Sequence, residues 1–138
     1  MVDDHLLTLH LAGRDAWLPD GAHVATTASW WFRLSRALGR SGRGSLSTLI
    51  ATLPGDDGAV VADLIRQLPE EVTIVHPRET VPQAGVLSAR HGLNLLAADA
   101  LATAIVLAGG LLVAAHDDGP RLRSAAASLK VHYQAIET

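Results

Sequence analysis

A long apolar stretch in the C-terminal third of the chain constrains the fold more than any other part of the sequence. It covers residues 95–115 and is interrupted by one acidic residue, Asp99, and by the pair Gly109-Gly110. Its uncharged part is shorter than the roughly 18 apolar residues of a membrane-spanning helix, and a glycine pair is a natural helix stop. The stretch therefore predicts a helix buried on most sides, followed by a buried strand.

Helix-like and strand-like segments alternate along the rest of the chain. Strands are predicted at residues 23–27, 72–75, 111–115 and 131–136, with helical segments between them. Such alternation favours a parallel, mostly buried sheet with helices on both faces. The prediction is one α/β domain covering residues 1–138, with a central parallel sheet of about four to five strands.

Composition excludes several classes of function. The chain has no cysteine, which rules out disulfides, thiolate metal sites and cysteine nucleophiles, and which agrees with a cytoplasmic location. The first five residues lack the basic and then apolar layout of a signal peptide. No serine lies in a G-x-S-x-G turn, and no glycine cluster forms a dinucleotide fingerprint. We therefore expect neither a serine hydrolase nor a dinucleotide-binding domain.

The net charge of -3 conceals a basic segment. No acidic residue lies between Asp20 and Asp56. Four arginines do, and we call them the arginine stripe: Arg33, Arg36, Arg40 and Arg43. The first three recur at helical spacing, without acidic partners on the same helix. Such a stripe is typical either of phosphate contacts with a nucleic acid or of an ordinary solvated face, and the sequence favours neither interpretation.

Three consecutive aromatic residues, Trp30, Trp31 and Phe32, lie in the helix predicted at residues 29–38. Consecutive positions span about 200° of a helix, so we expect at least one ring to face away from the local core. An aromatic ring on the surface can stack on a base or anchor a protein partner.

Aspartates mark the ends or starts of three predicted elements. Asp3 follows a very short first strand, Asp99 lies near the start of the apolar helix, and Asp117 follows the next strand. In an open α/β sheet these places can converge at the carboxyl ends of the strands. Carboxylate oxygens suit Mg²⁺ or Mn²⁺, which can orient a phosphodiester and activate a water. Each aspartate alone is better explained by a helix end: Asp3 or Asp4 and Asp117 or Asp118 as N-caps, and Asp99 as a favourable charge near a helix N-terminus. Their order along the chain favours a shared pocket.

Histidines beside two of these aspartates offer a different metal site. His5 lies near Asp3, and His116 adjoins Asp117, so two carboxylates and two imidazoles could bind Zn²⁺ or Mn²⁺. The spacing matches no recognised ligand motif. Solvated or hydrogen-bonded histidines are the favoured interpretation.

The acidic segments resemble those of the PIN-domain family, a nuclease fold used by many toxin ribonucleases of bacterial toxin-antitoxin pairs. Residues 2–7, Val-Asp-Asp-His-Leu-Leu, resemble the family's first element, in which a strand ends in aspartate. The Asp-Ala-Leu sequence at residues 99–101 resembles the start of its apolar helix, and residues 112–117 resemble its Thr-x-Asp strand end. The resemblance follows the order of elements over nearly the whole chain.

This resemblance implies a single PIN-like domain that acts as a metal-dependent ribonuclease in the cytoplasm. It implies weakly bound Mg²⁺ or Mn²⁺ on three catalytic metal ligands, which are Asp3, Asp99 and Asp117. It also implies RNA as substrate, held by the whole arginine stripe. An antitoxin-like protein or a second copy of the chain would be its protein partner.

Two departures from the family pattern affect the catalytic interpretation. Residues 24–34 resemble the part of the family that carries a ligand glutamate, but the matching position is Arg33, and Ala115 replaces the usual threonine. A cation roughly 6 Å from a divalent ion is repelled by about 5 kcal/mol at an effective dielectric constant near 20. Two functions therefore stay open: a ribonuclease with weak or lost catalysis, and a non-catalytic module that binds RNA or a protein. The location of Arg33 decides between them.

Overall fold

The computed structural model describes residues 1–40 and 44–138. Its α-helices are α1 (Asp4–Leu11), α2 (Ala28–Leu38), α3 (Ser45–Ala51), α4 (Asp57–Arg66), α5 (Pro77–His91), α6 (Leu95–Val106) and α7 (Pro120–Ser128). Its strands are β1 (Ala25–Thr26), β2 (Thr73–Ile74), β3 (Leu111–Ala114) and β4 (Tyr133–Ile136). A short 3-10 helix covers Ala115–Asp117. No helix in the described ranges is long and apolar enough to cross a lipid bilayer.

The prediction of one central sheet with four to five strands is wrong. β1 pairs with β2 and β3 pairs with β4, both in parallel, so the described part of the chain contains two two-stranded sheets. Val2 lies between the two sheets. It forms an isolated parallel bridge with Leu112, and its N–H donates a hydrogen bond of 2.9 Å to the Ala25 carbonyl. The mixture of helices and short parallel strands agrees with the prediction from the sequence, whereas the two separate sheets do not.

Helix caps keep these strands short. Asp3 directly follows Val2 and caps α1, because its Oδ1 accepts a hydrogen bond of 2.8 Å from the Leu6 N–H. Thr27 directly follows β1 and caps α2, with its hydroxyl accepting a hydrogen bond of 3.0 Å from the Trp30 N–H. Since an N-cap residue begins the helix at once, few residues remain for strand pairing.

Hydrophobic side chains pack into two clusters, and alternate residues of β3 face different clusters. Leu111 and Val113 join the cluster formed with α5, α6 and α7, whereas Ala114 joins the cluster formed with α1, α3 and α4. Residues 100–104 of α6 are all buried, so the predicted burial of the apolar helix is confirmed for its middle. Its first residue, Leu95, is 71% exposed.

Candidate functional site

The structure distributes the three predicted aspartate ligands over two cavities. Asp3 and Asp117 line one of them together with Asp4, Arg33 and the start of α6, and we call it the acidic cavity. Asp99 lines another, between α2, α5 and α6, which we call the Asp99 cavity. Within residues 1–40 and 44–138, no three histidine or acidic side chains form a group that could hold a metal ion.

The register of α6 explains why Asp99 lies apart. The helix begins after Asn94, whose side-chain oxygen accepts a hydrogen bond of 2.9 Å from the Ala97 N–H. Asn94, Leu96 and Ala97 line the acidic cavity. Two further residues rotate a helix by about 200°, so Asp99 is on the opposite side from Ala97. At this level of α6, the acidic cavity is therefore lined by Ala97 and not by the carboxylate of Asp99.

Asp3 is buried and uses both carboxylate oxygens in hydrogen bonds to the backbone. Its Oδ1 accepts from the Leu6 N–H at 2.8 Å, and its Oδ2 accepts from the Ala114 N–H at 2.6 Å. Burial raises the pKa of Asp3 to about 6, although these two backbone donors lower it. Asp3 therefore ties the start of α1 to the end of β3.

Arg33 lies in the acidic cavity and pairs with Asp4. Its Nε is 3.1 Å from Asp4 Oδ2, and the Asp4 side chain is only 1% exposed. Burial raises the pKa of Asp4 to about 7; Arg33 acts against this effect, while Asp3 and Asp117 add to it. Asp4 is not among the metal ligands that the sequence predicts. Its place in the cavity was missed because it depends on packing against a residue far along the chain.

The 3-10 helix brings the predicted histidine pair into contact. The rings of His5 and His116 meet edge to face, with their centroids 4.4 Å apart. His116 Nε2 lies 3.4 Å from Asp117 Oδ2. Burial, followed by the neighbouring His116, lowers the pKa of His5. The lowered pKa favours a neutral His5, and each histidine is next in sequence to a residue that lines the acidic cavity.

Asp118, the neighbour of Asp117, has a structural role. Its Oδ1 accepts a hydrogen bond of 2.8 Å from the Tyr133 hydroxyl, and its Oδ2 pairs with Arg123. These contacts fasten the loop after β3 to α7 and to β4.

Three members of the arginine stripe line one groove, which we call the arginine groove. Arg33, Arg36 and Arg40 lie along it, facing residues 44–47 at the start of α3. Arg43 lies outside the described residues. Arg36 and Arg40 are exposed, and neither forms an ion pair with a described residue. The groove therefore presents two guanidinium groups without a counter-charge from the described part of the chain.

The aromatic residues of α2 divide as the sequence predicts. Trp30 is buried, and Trp31 donates its indole N–H to the Ile65 carbonyl at 2.7 Å. Phe32 is 64% exposed. It precedes Arg36 by four residues, so its ring and the guanidinium share one face of α2.

No model of a known protein family matches the chain, and no curated protein matches it. The resemblance to PIN domains stays a hypothesis that rests on the short acidic segments. The candidate residues that the structure describes lie in these two cavities and in the arginine groove.

Proposed function

We propose that the protein is a non-catalytic module that binds single-stranded RNA through the arginine groove. One observation carries the proposal: Arg33 lines both the acidic cavity and the arginine groove, and it pairs with Asp4. In a metal-dependent nuclease a metal ion occupies the centre of such a cavity. Here a guanidinium takes the place of that positive charge.

The remaining carboxylates supply few free ligands. Asp3 already accepts two backbone hydrogen bonds, and Asp99 lines the other cavity. Mg²⁺ requires near-octahedral oxygen coordination and binds through carboxylates that can approach it closely. Asp117 Oδ2 also lies 3.4 Å from His116 Nε2, so this carboxylate has a competing partner as well, which supports weak metal binding.

The arginine groove supports RNA as the ligand. Unpaired guanidinium groups at Arg36 and Arg40 can contact phosphates without first breaking an ion pair to a described residue. Single-stranded nucleic acids are held by positive grooves combined with aromatic rings on which bases stack. Phe32 provides an exposed ring on the same helix. The proposal includes a cytoplasmic location, where such RNA would be met.

The test is fluorescence anisotropy with a labelled single-stranded RNA of about 12 nucleotides, measured at several salt concentrations in the presence of EDTA. We expect the double variant Arg36→Ala/Arg40→Ala to bind about tenfold more weakly at low salt. Its slope of log affinity against log salt should be shallower by about 0.7 for each lost phosphate contact. Arg90→Ala, which removes an exposed arginine from α5, is the matched control and should change neither quantity. Equal affinity and slope for the double variant and the wild type would reject the groove as the RNA site.

A Mg²⁺- or Mn²⁺-dependent ribonuclease is the second candidate, and the acidic cavity favours it. Asp117 raises the pKa of both Asp3 and Asp4, which indicates that the three carboxylates repel one another. A divalent ion that displaced Arg33 would relieve this repulsion. Metal-dependent cleavage of the bound RNA distinguishes this candidate from the non-catalytic module.

A further inference from the structure

The Asp99 cavity is separate from the acidic cavity and from the arginine groove. Its volume is about 350 Å³, and it lies between the start of α2, the first half of α5 and α6. Most of its walls are apolar and include Val75, Val81, Ala84, Leu95 and Ala98. Cavities of roughly 300–1,000 Å³ with apolar walls and a few placed polar groups are typical of small-molecule sites.

Asp99 is held in a fixed orientation inside this cavity. Its Oδ2 accepts a hydrogen bond of 2.7 Å from the Ser29 hydroxyl, and its Oδ1 accepts one of 3.4 Å from the Thr80 hydroxyl. The two donors come from α2 and α5, so three helices fix the carboxylate. A carboxylate has about four lone-pair sites, which leaves acceptor capacity for a ligand.

No cation of the described chain neutralises Asp99. It forms no ion pair with a residue in the described ranges. It is also the one residue with a formal charge among the described residues that line the cavity. A single fixed carboxylate suits an ammonium group, whereas a divalent metal ion needs several oxygen ligands.

The rim of the cavity indicates that the ligand has an apolar body. Val81 and Leu95 line the cavity but are 58% and 71% exposed. A hydrocarbon or aromatic group seated between them would remove this surface from water, a favourable change of roughly 25 cal/mol per Å² of apolar area.

We propose that the Asp99 cavity binds a small organic cation, a primary or secondary amine with an apolar body. The ammonium group donates to the Asp99 carboxylate, and the body lies against Val81 and Leu95. This site is separate from the arginine groove, so the proposal does not depend on RNA binding.

The test compares three ligands of similar size by ¹H–¹⁵N NMR titration of the full chain: phenethylamine, phenethyl alcohol and phenylacetate. We expect saturable binding of phenethylamine, with shifts centred on the amides of Ser29, Thr80 and Asp99. Phenethyl alcohol should bind about tenfold more weakly, and phenylacetate should bind weakest because its charge is repelled.

The variant Asp99→Asn should reduce the affinity for phenethylamine to that for phenethyl alcohol and leave the alcohol unaffected. Asp117→Asn, in the acidic cavity, is the matched control and should bind all three ligands like the wild type. Equal binding of the amine and the alcohol by the wild type would overturn the proposal, even if Asp99→Asn failed to fold. An absence of saturable amine binding, or amine binding that Asp99→Asn leaves unchanged, would overturn it as well.

Discussion

Arg33 Nε lies 3.1 Å from Asp4 Oδ2, and the carboxylate of this pair is almost completely buried. The pair joins α2 to the first turn of α1 at the wall of the acidic cavity. It places a fixed positive charge beside carboxylates that otherwise repel one another. The chemistry of the cavity therefore depends on a residue that also lines the arginine groove.

Removing the Arg33 charge should raise the pKa of Asp4 above its value of about 7 in the wild type. The reason is that burial would then act without the opposing guanidinium. The measurement is a ¹³C NMR titration of the Asp4 carboxyl in Arg33→Ala, with Arg36→Ala as the control. An Asp4 pKa that stays constant or falls in Arg33→Ala would show that the ion pair does not control this carboxyl.

The free energy of unfolding should fall as the pH rises from about 4 to about 7. The pKa values of Asp3 and Asp4 are raised from 3.8 to about 6 and about 7, so in this range the folded state holds protons that the unfolded chain has lost. The lowered pKa of His5 acts in the opposite direction, since the unfolded chain then binds more protons. Burial also lowers the pKa of the Met1 amino group, which acts in the same direction as His5 at the upper end of this range. The large upward shifts of the two carboxyl pKa values determine the sign of the slope.

Urea denaturation across this pH range measures the slope directly. Asp4→Asn should make the decline shallower, because one of the two titrating carboxyls is removed. A free energy of unfolding that rises steadily toward neutral pH in the wild type would contradict the raised pKa values of these aspartates.

Leu101 lies in the fully buried middle of α6, and Leu101→Ala should destabilise the fold by about 2–5 kcal/mol through the cavity that it leaves. Leu95→Ala, near the exposed start of the same helix, should change stability by about 0.5 kcal/mol or less. Chemical denaturation of both variants makes the comparison. Similar midpoints for the two would mean that α6 is not part of the core.

The apolar stretch shows how far the sequence determines the fold. Its residues predict α6 and β3 with the correct boundary near Gly109-Gly110, because burial and the helix stop are local properties. The extent of strand pairing was predicted wrongly. It depends on Asp3 and Thr27 acting as helix caps directly after the strands, and a cap and a strand end look alike in sequence.

The site residues also divide into those whose position the sequence could predict and those whose position it could not. Counting from the N-cap Asn94 would have placed Asp99 beyond the first turn of α6 and away from Ala97, so that signal was present in the sequence. The pairing of Asp4 with Arg33 left no such signal. It arises from the packing of α1 against α2, which no local pattern encodes.

Phe32→Ala should weaken RNA binding because it removes the exposed ring on which a base can stack. Such stacking contributes about 1–3 kcal/mol per base. The salt dependence should stay that of the wild type, since no phosphate contact is lost. Anisotropy titrations at two salt concentrations measure both quantities, and Val86→Ala, an exposed apolar residue on α5, is the control. Wild-type affinity in Phe32→Ala would remove the ring from the proposed RNA site.

The central claim is that this fold binds RNA without cleaving it, and the integrity of the bound RNA tests this most directly. The labelled RNA is incubated with saturating wild-type protein and either Mg²⁺ or Mn²⁺, and it is then run on a denaturing gel. We predict RNA that stays full length with both metals while anisotropy shows that it is bound. Metal-dependent cleavage by the wild type that is lost in Asp117→Asn would contradict the account and establish the acidic cavity as an active site.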